Sequence, residues 1–206
     1  LIFMEGDALQ IGLIGAGRIG QVHAQNLSRF IPQSSLCMVT DIVEANAIAC
    51  AQRFGIPNTS ADYREILNNR DIDAVIVCSS TDTHASIIVE AAKARKHVFC
   101  EKPPGRNVKD IISVIFQEKQ NPKLKLMYGF NHRYHESVKE ANEIINNGEL
   151  GDIVDINAVY GKSKVVTATG PNADWRSKRK IAGGGILLDQ GIHMVDLIRY
   201  FAGEFK

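Results

Sequence analysis

Between residues 9 and 131 the sequence alternates short apolar runs with longer amphipathic stretches. The clearest run, residues 74–78, is a continuous series of small, β-branched and thiol side chains, as expected of a strand buried on both faces of a sheet. The intervening stretches, such as residues 83–95, place apolar side chains at helical spacing. Strands that alternate with helices form βαβ units, so this part of the chain predicts an α/β fold with a doubly wound parallel sheet.

The same pattern assigns the individual elements. Strands are expected at residues 9–14, 36–40, 74–78, 97–100 and 124–130. Helices are expected at residues 19–30, 45–54, 83–95, 108–118 and 136–147, with a short one that starts at Ala61. Ser60 is a candidate N-cap for that short helix, and Gly55 and Gly148 follow the ends of two others.

Beyond residue 131 the pattern changes. Residues 153–160 alternate with period two, which predicts a strand of a different sheet, and residues 162–180 are polar and predict a long loop. Residues 186–201 follow three glycines and predict an amphipathic helix. The sequence therefore predicts two domains, 1–131 and 132–206. A single strand cannot satisfy its backbone groups or bury an apolar face alone.

A glycine-rich turn, Gly15-Ala16-Gly17-Arg18-Ile19-Gly20, directly follows the first predicted strand and opens the first helix. This context is the one that dinucleotide binding requires. Gly15 permits the tight turn, Gly17 lets the backbone approach a pyrophosphate, and Gly20 lets helix and strand pack closely. The turn is predicted to hold the pyrophosphate of a nicotinamide dinucleotide in a Rossmann domain. The alternative is a turn that is rich in glycine for packing alone.

Asp41 ends the second predicted strand, 21 positions after Gly20. A carboxylate there can accept hydrogen bonds from the adenosine ribose and would repel a 2′-phosphate. Ile42, rather than arginine, comes next. NAD is therefore predicted in preference to NADP.

Composition narrows the partners. The formal net charge is +1, from 24 basic and 23 acidic residues, which gives no global field toward nucleic acid or an anionic membrane. No apolar run approaches the roughly 20 residues that span a bilayer. The cysteines lie far apart, which favours a reduced, cytoplasmic protein with buried thiols, and no metal-ligand cluster is recognised. They are Cys37, Cys50, Cys78 and Cys100.

Two further segments carry a family resemblance. Cys100-Glu101-Lys102-Pro103 resembles the E-K-P motif of the Gfo/Idh/MocA oxidoreductases, a family that includes glucose-fructose oxidoreductase and inositol dehydrogenase. Gly183-Gly184-Gly185-Ile186-Leu187-Leu188-Asp189-Gln190-Gly191-Ile192-His193 resembles the family's G-G-G-x-x-x-D-x-x-x-H segment. Together with the glycine turn, these motifs span almost the whole chain.

The resemblance implies an N-terminal Rossmann domain and an α+β domain whose open sheet, where complete, often forms a homo-oligomer interface. It implies that Lys102 and His193 act beside a substrate hydroxyl, with Asp189 as a supporting acid and Arg133 as a further substrate contact. The remaining implied or expected cofactor contacts are Arg18, Ile19, Ser79, Thr81, His84, Glu101, Asn131, Trp175 and Arg176. Family members usually continue well beyond this length, so an incomplete α+β second domain is expected: either the chain is C-terminally truncated or another chain completes the sheet.

The residues themselves are suited to hydride transfer from an alcohol, which also requires a base for the hydroxyl proton. Histidine is such a base near neutral pH, and Asp189, four residues before His193 on a predicted helix, could orient its ring. Lys102 would stabilise negative charge on the substrate oxygen. Alternatively, His193 packs at a domain boundary, Asp189 complements a helix dipole and Lys102 is a solvated strand-end residue.

Other site residues also have two interpretations. Thr81 and His84 follow a strand end where doubly wound sheets bind ligands, but Thr81 or Thr83 could simply cap a helix. Trp175 could be a loop anchor. The resulting functional hypothesis is an NAD-dependent dehydrogenase acting on a secondary alcohol of a sugar, nucleotide sugar or cyclitol. The alternative is a non-catalytic NAD-binding regulatory protein on the same scaffold.

Overall fold

The structure, a computed structural model, describes residues 8–161 and 179–205. The chain divides into two compact units, the first ending at Tyr128 and the second beginning at Gly129. Each unit is described separately. Trp175 and Arg176, two predicted cofactor contacts, lie outside the described residues, as does most of the predicted loop.

The first unit contains a six-stranded parallel sheet with the strand order β3-β2-β1-β4-β5-β6. Its strands are β1 (Leu9–Ile14), β2 (Ser34–Thr40), β3 (Asn58–Ser60), β4 (Ala74–Val77), β5 (His97–Cys100) and β6 (Leu126–Tyr128). The order reverses between β1 and β4, and ligands of such sheets bind at the carboxyl ends of the strands beside that reversal. The predicted doubly wound Rossmann fold is confirmed.

Helices cover both faces of this sheet. They are α1 (Arg18–Phe30), α2 (Glu44–Phe54), α3 (Arg64–Asn68), α4 (Thr81–Lys93) and α5 (Val108–Gln120). One apolar cluster joins α1 and α2 to the sheet, through residues such as Leu13 and Ala24. A second cluster joins α3, α4 and α5 to the opposite face, through residues such as Val75 and Ile87. Strand β4 is buried along its whole length, as its continuous apolar sequence predicts.

Strand β3 was not predicted, because it is only three residues long and contains no large apolar side chain. Ser60 belongs to this strand and does not cap a helix that starts at Ala61. Its hydroxyl accepts a hydrogen bond from the Asp62 amide at 3.0 Å and donates one to Glu65 Oε1 at 2.6 Å. These bonds form a turn, and the helix begins only at Arg64.

The second unit is mainly helical where it is described. It contains a 3₁₀ turn (Asn131–Tyr134), α6 (Glu136–Asn146), α7 (Arg179–Ala182), a π-helical turn (Leu187–Gly191) and α8 (Ile192–Ala202). The strand predicted at residues 153–160 is wrong, since this segment has no regular secondary structure. No other strand of this unit lies among the described residues to pair with it, and Val154 and Val159 are 96% and 88% exposed.

One segment of this unit, Arg179–Ala202, is long and apolar enough to cross a membrane by length and composition, which corrects the expectation that no run reaches that length. Such a segment is weak evidence for a membrane span by itself. Here Gly183 and Gly185 adopt φ of +86° and +60°, and residues 183 and 184 are not helical. That the protein has no membrane partner stays a prediction.

Candidate active site

The three glycines of the turn have different physical roles. At Gly15, where φ is +97°, a Cβ would lie 2.7 Å from the Cys78 carbonyl carbon, and at Gly20 it would lie 2.0 Å from the Gly15 oxygen. The fold itself therefore requires both. A Cβ at Gly17 would meet nothing within 4 Å. Packing does not explain Gly17, whereas a pyrophosphate that approaches the backbone there would, so the residues present fit a dinucleotide.

Asp41 follows β2 and fixes the turn from the side. Its Oδ2 accepts a hydrogen bond from the Ala16 amide at 2.8 Å, while Oδ1 accepts one from the Val43 amide at 2.9 Å. Oδ1 also accepts a hydrogen bond from Asn46 Nδ2 at 3.3 Å, so it is Oδ2 of this half-buried carboxylate that keeps an acceptor site for a ribose hydroxyl. Ile42 beside it is 93% exposed.

The start of α1 is suited to an anion. Gly17 is the N-cap, no acidic side chain occurs in the first turn, and Arg18 is exposed. Ile19, a predicted cofactor contact, packs its half-buried side chain against the first apolar cluster, so only its backbone is suited to that role. The first amides of a helix point at a ligand and carry partial positive charge.

The Glu101-Lys102-Pro103 turn follows β5 and is held by two histidines. Glu101 Oε1 lies 2.8 Å from His23 Nε2 of α1, and its amide donates to the Val77 carbonyl at 2.9 Å. The Pro103 carbonyl lies 2.8 Å from His84 Nδ1 of α4. Sequence reasoning missed His23, because no local pattern links it to Glu101, which lies 78 residues later in the chain.

The structure corrects the prediction that His84 contacts the cofactor. The ring is almost fully buried, and its nitrogens face the carbonyls of Pro103, at 2.8 Å, and Ser79, at 3.1 Å. Neither nitrogen is left to bind a dinucleotide. Burial lowers the pKa of His84, against the opposing effect of the two carbonyls.

Helix α4 begins without a side-chain cap. Ser80 is the N-cap residue and accepts, through its carbonyl, a hydrogen bond from the Thr83 hydroxyl at 2.8 Å. That hydroxyl also lies 2.7 Å from Ser79 Oγ. Thr81 is buried as the first residue of the helix, so neither threonine is the cap that the alternative interpretation proposed. Half-buried Ser79 stays a predicted cofactor contact.

In the second unit, the predicted substrate residue Arg133 forms a two-pronged ion pair with Asp196 of α8. Arg133 Nε and Nη2 lie 2.7 and 2.5 Å from Asp196 Oδ2 and Oδ1, and Asp196 is 5% exposed. The hydrogen bond to Asp196 raises the pKa of Arg133. The ion pair holds α8 and uses only part of the guanidinium, whose side chain is 36% exposed, so the substrate contact of Arg133 stays a prediction. Sequence reasoning missed Asp196, which lies one helical turn after His193.

His193 is also buried at 5% exposure, within a group of rings. Its imidazole stacks on that of His132, with ring centroids 4.0 Å apart and planes 9° apart, and Phe130 lies edge-on at 6.3 Å. Its nearest predicted partner, Asp189, occupies the π-helical turn and accepts a hydrogen bond from Gln190 Nε2 at 2.9 Å. The predicted orientation of the His193 ring by Asp189 stays a prediction. Asn131 is exposed at the start of the 3₁₀ turn.

The cysteines are all free thiols. Burial raises the pKa of Cys78 and Cys100 well above the ordinary thiol value, and Cys50 is shifted in the same direction. Such thiols stay protonated and unreactive. They belong to the apolar core, as the sequence predicts, and not to the chemistry of the site.

The parallel sheet with its glycine turn defines a Rossmann-type nucleotide-binding domain. Residues 9–130 match the family described as "Oxidoreductase family, NAD-binding Rossmann fold", and residues 138–206 match its "GFO/IDH/MocA C-terminal domain". The chain belongs to the GFO/IDH/MocA oxidoreductase family.

Named relatives are similar along nearly all of the chain. Myo-inositol 2-dehydrogenase of Thermotoga maritima is 35% identical over 201 residues, 95% of this chain and 55% of the relative. Levoglucosan dehydrogenase of Pseudarthrobacter phenanthrenivorans is 33% identical over 96% of this chain and 52% of its own length. The structure of Lactobacillus casei scyllo-inositol dehydrogenase with NAD(H) and scyllo-inositol aligns with a TM-score of 0.78 at 30% identity, over 96% of this chain and 57% of that one. The chain thus spans about half the length of these relatives.

Proposed function

We propose that this protein is an NAD-dependent dehydrogenase that oxidises a secondary alcohol of a sugar or cyclitol, or reduces the corresponding ketone. The observation that carries the proposal is the clearance at Gly17, between two glycines that the fold requires for itself. The relatives named as inositol and levoglucosan dehydrogenases supply the substrate class.

His193 takes the hydroxyl proton during oxidation and returns it during reduction. Its burial and the stacked His132 ring keep the imidazole in one orientation, which a proton transfer requires. Lys102 stabilises the negative charge that develops on the substrate oxygen. A bound nicotinamide would supply the hydride acceptor for oxidation and the hydride donor for reduction.

The test is NADH formation by the purified protein with a panel of inositols, levoglucosan and simple sugars. His193→Ala is expected to lower kcat by about 10²- to 10⁴-fold while leaving the Kd for NAD within about threefold, because a general acid–base acts on the transition state. His97→Gln, in the other unit, is the matched control and should retain activity. Undiminished turnover in His193→Ala would refute the assignment of the base. NAD binding without turnover of any panel member would indicate a non-catalytic NAD-binding protein instead.

Cofactor choice is part of the proposal, with NAD favoured over NADP by the carboxylate of Asp41. Titration with each cofactor should show tighter binding of NAD. Asp41→Asn keeps an oxygen that can accept a hydrogen bond from the Ala16 amide but removes the negative charge. The ratio of the Kd for NADP to the Kd for NAD should therefore fall by about tenfold. Tighter binding of NADP to the unaltered protein would remove the role given to Asp41.

A further inference from the structure

The residues on either side of Lys102 are each fixed by a histidine, and the two histidines come from opposite faces of the sheet. His23 belongs to α1, which packs in the first apolar cluster, and its ring nitrogen lies 2.8 Å from Glu101 Oε1. His84 belongs to α4, in the second cluster, and its ring nitrogen lies 2.8 Å from the Pro103 oxygen. The backbone carrying Lys102 is therefore held from both faces.

His23 is placed so that this contact is specific. Its side chain is 20% exposed and that of Glu101 15%, so the pair is largely removed from solvent. The ring also packs edge-on against Phe99 of β5, with centroids 5.2 Å apart. Since α1 begins at the glycine turn, His23 connects the helix that would face the pyrophosphate to the turn that carries Lys102.

Both ring nitrogens of His84 are occupied by contacts within the protein. Both face backbone carbonyls, Pro103 in the Lys102 turn and Ser79 at the end of β4. A neutral imidazole has one N–H, and an apolar side chain in its place would leave a buried carbonyl without a donor. In its Nδ1–H form the ring donates to the Pro103 carbonyl at 2.8 Å and so fastens the Lys102 turn to α4, at the edge where this class of sheet binds ligands.

We propose that His23 and His84 are positioning residues that fix the orientation of Lys102 for catalysis. This inference rests on the proposed function, because it assumes that Lys102 stabilises charge on the substrate oxygen. A displacement of about 1 Å in a catalytic group can cost about 100-fold in rate, so anchoring both neighbours of Lys102 has a measurable consequence.

The experiment compares His23→Leu and His84→Leu with His97→Leu, at the other end of β5, where His97 Nδ1 accepts only the Lys125 amide at 3.0 Å. We expect the first two variants to lower kcat by about 10- to 100-fold, with the Kd for NAD within about threefold of normal. Glutamine retains an N–H donor, so His23→Gln and His84→Gln should recover most of kcat. The control should keep full kcat.

Amide hydrogen exchange across residues 98–106 gives a readout that does not depend on activity. Exchange should accelerate in the two leucine variants and stay unchanged in His97→Leu. Unchanged exchange in the leucine variants would overturn the anchoring, whatever the activity. Faster exchange with normal kcat would overturn the positioning role. Lack of turnover by the unaltered protein would refute the proposed function, and with it the catalytic part of this inference, while the exchange data would still decide whether the turn is anchored.

Discussion

The glycine turn of the first unit and the His193 region of the second are built by different means. The turn is shaped by backbone atoms: those of Cys78 and Ser79 leave no room for a side chain at Gly15, and the Gly15 oxygen leaves none at Gly20. His193 is held by side chains: His132 stacks on it, and the Arg133–Asp196 ion pair joins its helix to a segment 63 residues away in sequence. The glycine turn depends on positions that have no side chain, whereas the His193 region depends on contacts between particular side chains.

The largest expected effect tests the division of roles within the turn. Gly20→Ala should lower the free energy of unfolding by about 3 kcal/mol, because its Cβ would lie 2.0 Å from a backbone oxygen and the backbone must move. Gly17→Ala should change it by no more than about 1 kcal/mol, since the added methyl meets open space. NAD binding to Gly17→Ala should nevertheless weaken by about tenfold or more, as the methyl obstructs the pyrophosphate. Urea unfolding and NAD titration measure both.

Two results would contradict this comparison. Equal destabilisation by the two substitutions would show that Gly17 is also required for packing. Normal NAD affinity in a stable Gly17→Ala variant would show that the clearance at this position has another cause than the cofactor.

A second, smaller effect concerns the ion pair of the second unit. Arg133→Met should lower the free energy of unfolding by about 2–3 kcal/mol, because it leaves the Asp196 carboxylate buried without its cation. This loss of unfolding free energy is smaller than that expected for a fully buried ion pair, because the Arg133 side chain is 36% exposed. Arg199→Met on the same helix, whose partner Glu204 is exposed, is the matched control and should cost at most about 1 kcal/mol. Similar losses in both variants, measured by urea unfolding, would mean that the Arg133 pair is an ordinary surface contact.

These cases show why the sequence predicted the first region better than the second. A glycine turn between a strand and a helix is local, so the positions of Gly15, Gly17 and Gly20 carry its geometry directly. The bond between Arg133 and Asp196 depends on folding of a distant segment, and no local pattern marks it.

The same reasoning explains the other differences. His84 lies at the expected strand end, but the sequence does not show that its ring points into the protein toward Pro103 and Ser79. The strand predicted at residues 153–160 has the correct alternation, yet alternation describes only which faces side chains occupy. A strand also needs a neighbour for its hydrogen bonds. Spacing can be read from sequence, whereas a long-range partner cannot.

The smallest expected effect is the pH dependence of stability that results from the pKa of His84. Burial lowers its pKa in the folded protein, whereas the two facing carbonyls favour the protonated ring. Because burial has the larger effect, the folded state binds fewer protons than the unfolded state, in which the pKa of histidine is about 6.5. The resulting stability is fully present above that pH and is lost as the pH falls below it toward the folded pKa.

Unfolding by urea between pH 8 and pH 5 should therefore show that the unaltered protein loses stability relative to His84→Gln as the pH decreases, with a slope no steeper than about 1.4 kcal/mol per pH unit. His97→Gln provides the control for a histidine at the far end of β5. If the unaltered protein instead gained stability over His84→Gln below about pH 6.5, the carbonyls of Pro103 and Ser79 would be holding a doubly protonated ring. In that case two hydrogen bonds, rather than one, would join the strand ends that flank Lys102, and protonation would tighten the turn.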